Sequence, residues 1–163
     1  MRYTPAIATG LVVAGIACFA TVAMLLNSVY SDRTGRPCLH EGAAAVLAAI
    51  GCLGAAFLPN PLARVAAIAL VEIGVRSYVP PFLCLAPGPL RGTAAAAGIA
   101  LVNAAFSVGG FIGPSLIGWF KDTTGGTSGA FVILAAVSAS AAALCIAIRR
   151  HSAFSVASQP AGQ

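Results

Sequence analysis

The stretch RGTAAAAGIALVNAAFSVGGFIGPSLIGWFKD, residues 91–122, decides the fold class. Between Arg91 and Lys121 it carries no charged residue, and about 20 apolar residues suffice to cross the hydrocarbon core of a bilayer. Wound as a helix, it places Asn103, Ser107, Gly110, Pro114 and Gly118 on one face, because steps of three and four residues return to the same side. Ile99, Val102, Phe106 and Leu116 point elsewhere, so one face is small and polar and the other is bulky and apolar. Lipid suits the bulky face. The small face admits a neighbouring backbone, and Gly109 and Gly113 form a GxxxG pair beside it. Asn103 is costly in hydrocarbon unless it meets a partner or a water-filled cavity. Two readings stay open: a packing helix whose Asn bonds a neighbour, or a helix lining a solute pathway.

The rest of the chain agrees with a membrane setting. Only 8% of its 163 residues are charged and its mean hydropathy is +0.93, whereas soluble domains carry about 25% charged residues. The net charge of +5 does not point to nucleic acid. The basic residues lie between apolar spans, where they set orientation. The five cysteines show no CxxC or Cys/His spacing, so neither a disulfide framework nor a metal site is expected, and no cofactor is implied. No nucleophile triad or phosphate loop is present, and no enzymatic activity is expected.

Outward from the quoted stretch, four more spans are predicted, at about 6–30, 42–58, 63–83 and 129–148. The expected fold is an all-α integral membrane bundle of five transmembrane helices over residues 1–151, with a disordered tail at 152–163. The uncharged run 3–31 is too long for a signal-peptide core of 7–15 residues, so it reads as a transmembrane helix. The most polar segment, SDRTGRPCLHE at 31–41, is expected to be a solvated loop that includes His40. Pro59-Asn60-Pro61 forces a turn, and Pro80-Pro81 is expected to break or kink the third span. APGPLRG at 86–92 and KDTTGGTS at 121–128 read as further turns. Tyr3, Trp119 and Phe120 suit interfacial anchoring. Five spans set Arg33, Arg36, Arg91, Arg149 and Arg150 on one side, against Arg2, Arg64 and Lys121 on the other. The richer side is expected to be cytoplasmic, with the C-terminus there and the N-terminus outside. An N-out start without a leader is natural for a piece of a longer protein.

Asp32-Arg33-Thr34-Gly35-Arg36 resembles the loop signature G-x-x-x-D-R-x-G-R-R of the major facilitator superfamily, with Ser28 and Pro37 departing from it. PPF at 80–82, GTAAAAGIALVN at 92–103, GG at 109–110, GP at 113–114 and GW-x-KD-x-TG at 118–125 resemble the last helices of that family's anion:cation symporter branch, which includes tartrate and phthalate permeases. Leu83 stands where the branch has Trp, Phe106 where it has Gly and Ser107 where it has Asn. The resemblance implies helices eight to twelve of a twelve-helix transporter of the inner membrane. That transporter would move a small organic anion, a carboxylate, together with a proton, and the missing N-terminal half or another copy would be needed to close a cavity. The alternative is a small membrane protein or decayed remnant that acts, if at all, through helix–helix association.

The substrate-pathway candidates are Asn103, Ser107, Arg76 and Glu72. Glu72 and Arg76 sit one helical turn apart, about 12 and 18 Å into their span at 1.5 Å per residue. They read as a self-compensating pair, as a proton-coupling carboxylate beside an anion-binding guanidinium, or as drift in a decayed fragment. Asp32, Arg33, Gly35 and Arg36 are the candidate gating loop. Gly109, Gly110, Gly113, Pro114 and Gly118 are the candidate helix-packing face.

Overall fold

The computed structural model describes residues 4–85 and 92–157, with side chains described over 7–79 and 92–147. Five helices follow one another: α1 (Thr4–Thr34), α2 (Pro37–Phe57), α3 (Pro61–Leu85), α4 (Thr93–Thr124) and α5 (Ser128–Ala157). No strand occurs among the described residues. By length and composition, four helices can cross a membrane: α1 from Ile7, α2, α4, and α5 as far as Ala147. α3 carries Arg64, Glu72 and Arg76 within its 25 residues, and these three charges set it apart from the other four.

The helix ends follow from turn chemistry. Gly35 adopts φ +61° and its N–H donates to the Ser31 carbonyl at 3.0 Å, a left-handed cap that side-chain-bearing residues rarely accept. Pro37 then opens α2, where its missing N–H costs nothing. The expected loop at 31–41 is therefore mostly helix: one side belongs to α1, the other to α2, and only Gly35 and Arg36 lie between. At the next junction, the Asn60 carboxamide oxygen accepts the Leu62 N–H at 2.9 Å and Arg64 Nε donates to the Leu58 carbonyl at 2.9 Å. One side chain thus caps the start of α3 and the other the end of α2. Gly125, at φ +71°, closes α4 by donating its N–H to the Lys121 carbonyl at 3.1 Å.

The centre of the bundle is α2, which packs against α3 on one side and α5 on another, while α1 lies along α3. Its buried surface is almost all alanine: Ala44, Ala45, Ala48, Ala49, Ala55 and Ala56, with Cys52. Small side chains let the helix axes approach, which is how helices associate where lipid removes the hydrophobic driving force. The approach is closest at two glycines. A Cβ on Gly51 would stand 2.7 Å from the Val71 nitrogen, and one on Gly74 would stand 2.6 Å from the Ala48 nitrogen. Across the bundle, Ser128 Oγ donates to the Ala56 carbonyl at 2.9 Å and joins α5 to α2.

α4, the stretch that decides the fold class, is not the centre. None of its residues is buried, and among the described residues it packs against α5 and makes a ring contact with α3. α3 is not broken at Pro80-Pro81 but continues to Leu85, close to the expected end of its span at 83. The prolines remove two helical hydrogen bonds near the end of the helix, a loss that one of the freed carbonyls recovers from elsewhere, as described below. Met1–Tyr3, most of the turn at 86–92 and residues 158–163 lie outside the described residues. α5 is helical to Ala157, past the expected end of its span at 148.

Candidate substrate pathway and loop

Arg76 and Glu72 meet. Arg76 Nε donates to Glu72 Oε1 at 2.6 Å, as their i, i+4 spacing allows. Neither is buried: the side chains are 44% and 38% exposed. The reason is their place on the helix. α3 turns Ala67, Val71 and Gly74 toward α2, and Arg76 is two residues beyond Gly74, about 200° further round. The pair therefore faces away from the alanine core, on a side of α3 that this chain leaves uncovered.

On α4, Asn103 and Ser107 are both exposed, and the Ser107 hydroxyl donates to the Asn103 carbonyl at 3.0 Å. Cβ atoms built on Gly109, Gly110, Gly113 or Gly118 would meet nothing within 4 Å. Pro114 lies inside the helix. Phe106, which stands where the resembling family has Gly, meets Tyr78 of α3 with ring centroids 6.3 Å apart. Tyr78 and Phe106 thus bring α3 and α4 together, while among the described residues no hydrogen bond joins Asn103 or Ser107 to Arg76 or Glu72.

Asp32 and Arg33 occupy the last turn of α1, and Arg36 stands between the helices. All three are exposed. Arg33 at a helix C-terminus complements the macrodipole. Behind this loop lies a group that sequence reasoning missed. His40 is half-buried rather than solvated, because both its ring nitrogens have partners: Nδ1 lies 3.0 Å from Asn27 Oδ1 and Nε2 lies 3.0 Å from Thr34 Oγ1. Asn27 in turn donates its amide to the Ser77 carbonyl at 2.8 Å. That carbonyl needs the donor. Its helical partner would be the N–H of residue 81, which is Pro81. The signal was present in the sequence as an Asn inside one apolar span and a Pro-Pro inside another, but nothing in either span said that they were neighbours. Glu41, also placed in the expected loop, is instead buried beside the Cys145 thiol of α5.

The chain is similar in sequence to known proteins. The chain is 39% identical over 158 residues to a protein of Agrobacterium vitis named "Putative tartrate transporter", which covers 97% of this chain and 35% of that protein. The curated relatives it matches are transporters of the major facilitator type. Within that group it is 31% identical over 119 residues to the "Quinolone resistance transporter" of Acinetobacter baumannii, over 73% of this chain and 27% of the relative. It is 40% identical over 88 residues to the "Inner membrane transport protein RhmT" of Escherichia coli strain K12, over 53% of this chain and 20% of the relative. The chain spans about a third of the length of the tartrate-transporter relatives it matches. No family model matches it, and no solved structure matches it significantly. Over the stretch it shares with these relatives, the chain leaves the Glu72–Arg76 side and the α4 stripe uncovered.

Proposed function

We propose that the chain is the C-terminal part of a secondary transporter that moves small organic anions, carboxylates, in symport with protons. Arg76 carries the reading. It is a guanidinium on an uncovered face of a helix in an apolar bundle, and a guanidinium binds a carboxylate by paired hydrogen bonds. Glu72, bonded to it, is the group that a proton would neutralise as the anion takes over the guanidinium. Asn103 and Ser107 supply uncharged donors and acceptors on α4. Gly109, Gly110, Gly113, Pro114 and Gly118 form the face against which a helix of the missing half packs. Asp32, Arg33, Gly35 and Arg36 form the loop that opens and closes with it. The name of the tartrate-transporter relatives supports the carboxylate class.

Reconstituted alone in vesicles, the 163-residue chain is expected to insert and to show no uptake of tartrate or phthalate above background, because half the cavity wall is absent. Saturable uptake by the purified chain would falsify the partial-cavity reading. The same chain joined to all of a tartrate-transporter relative that precedes the matched region is expected to restore proton-dependent uptake of these acids. A joined protein that inserts and carries none of them removes the carboxylate reading.

Orientation is tested separately. The proposed inner-membrane topology puts the α1–α2 turn and the C-terminus in the cytoplasm. Cys38 is half-exposed beside that turn, so in intact cells an impermeant thiol reagent should leave it unlabelled until the membrane is opened. Labelling in sealed cells reverses the topology.

A further inference from the structure

We propose that Asn27 and His40 form a hydrogen-bonded relay that couples the Asp32–Arg36 turn to the segment of α3 that carries Arg76. Asn27 and His40 act as positioning residues. The relay itself stands on geometry, while its consequence for transport rests on the reading above.

The direction of each bond follows by elimination. The Ser77 carbonyl can only accept, so the Asn27 amide nitrogen must face it, at 2.8 Å. That orientation leaves Asn27 Oδ1, an acceptor, toward His40 Nδ1 at 3.0 Å, so Nδ1 carries the proton and donates. In the neutral ring Nε2 is then an acceptor for the Thr34 hydroxyl at 3.0 Å. The bonds run one way, from Thr34 Oγ1 through His40 and Asn27 to the Ser77 carbonyl, and a chain of that kind is strengthened by mutual polarisation. Thr34 is the part that can turn, because the Tyr30 carbonyl, at 2.8 Å, is a second acceptor for its hydroxyl.

Each end is anchored where something can move. Thr34 is the last residue of α1, against the Gly35 cap. Ser77 follows Arg76 directly, and its carbonyl has lost its helical donor to Pro81. A carbonyl satisfied by a side chain on another helix holds α3 at that point only while Asn27 stays in place. A rearrangement of the turn that draws Thr34 or His40 away releases Asn27. Asn27 in turn releases the backbone beside Arg76. The charged groups nearby are arranged around this line rather than on it. Asp32, Arg33 and Arg36 are exposed at the turn, Arg76 is paired with Glu72, and Glu41 is turned to Cys145.

Amide hydrogen–deuterium exchange of the full chain in lipid nanodiscs tests the relay. Asn27→Leu should speed exchange both at 76–79 and at 32–36, by roughly three- to tenfold, the range of one to two lost hydrogen bonds of this type. His40→Leu should loosen the turn and also speed exchange at 76–79, though by less than Asn27→Leu, because Asn27 loses the partner that holds its amide on the Ser77 carbonyl. His40→Gln, which offers a donor and an acceptor of similar reach, should restore most of the protection. The double variant Thr34→Val/Asn27→Leu should loosen the turn no more than Asn27→Leu alone, since both cut one chain. Additive effects, or an Asn27→Leu effect confined to α3, would overturn the coupling. If Asn27→Leu does not insert, an unchanged 76–79 segment in His40→Leu overturns it equally. No uptake is read here, so failure of the relay leaves the transport proposal standing, and failure of uptake leaves the relay standing.

Discussion

Gly51→Leu and Gly74→Leu each dismantle the α2–α3 pair, at a cost of about 3 kcal/mol or more, the upper end of overpacking penalties. At Gly51 an added Cβ alone would stand 2.7 Å from the Val71 nitrogen and 2.8 Å from the Ala67 carbonyl oxygen, and at Gly74 it would stand 2.6 Å from the Ala48 nitrogen and 2.7 Å from the Ala44 carbonyl oxygen. These are backbone atoms. They cannot swing aside as a side-chain tip can, so the helices must separate, and separation uncovers the alanine surface on which α5 also rests. Gly110→Ala is the matched control. A Cβ there meets nothing within 4 Å, and alanine is the better helix former by about 1 kcal/mol, so stability should hold or rise. Thermal unfolding in detergent, followed by circular dichroism, separates the cases. A Gly51→Leu protein that melts with the parent would mean that the two helices do not cross at these glycines.

Arg76→Ala is expected to abolish anion uptake in the joined, full-length protein while membrane insertion remains intact. Removing one partner of a charge-assisted pair with a bound carboxylate costs about 2 kcal/mol at the least, which is roughly a 30-fold loss of affinity. Arg76→Lys should retain only part of the activity, because an ammonium replaces a two-pronged donor with a point charge. Truncation of Arg76 also leaves Glu72 without its partner, a cost of its own. The double variant Glu72→Gln/Arg76→Gln therefore serves as the test of stability: it should insert and fold normally and still fail to transport. Glu72→Gln alone should allow exchange of anion for anion but lose the response to a proton gradient. If Arg76→Ala transports with unchanged KM, the pair is a structural one and the anion is held elsewhere.

The membrane class, the helical fold and the breaks at 59–61 and within 121–128 were legible because each rests on local chemistry. Gly35 and Gly125 sit where helices end in the left-handed region, and Pro37 and Pro61 sit where helices begin. The Glu72–Arg76 bond was also readable, since a spacing of four residues joins side chains on any helix. Pro80-Pro81 misled, because a proline removes a bond without saying whether a neighbour replaces it. His40 misled for the same reason: its polar surroundings in sequence suggested water, and its partners came from positions 27 and 34.

By itself, the sequence determined what each segment is: an apolar helix, a glycine cap, a proline start, an ion pair one turn long. These depend on residues within a few positions of one another, where the chain connectivity fixes the geometry. Tertiary structure alone decided which helix is central. α4 has the more distinctive sequence and α2 the plainer one, yet α2 carries the core, because its alanines let α3 and α5 both pack against it, with two glycine crossings on the α3 side. Tertiary structure also placed the Asn27 amide on the carbonyl that Pro81 leaves open, 50 residues away along the chain. No local pattern encodes such a contact, since it exists only where two helices cross.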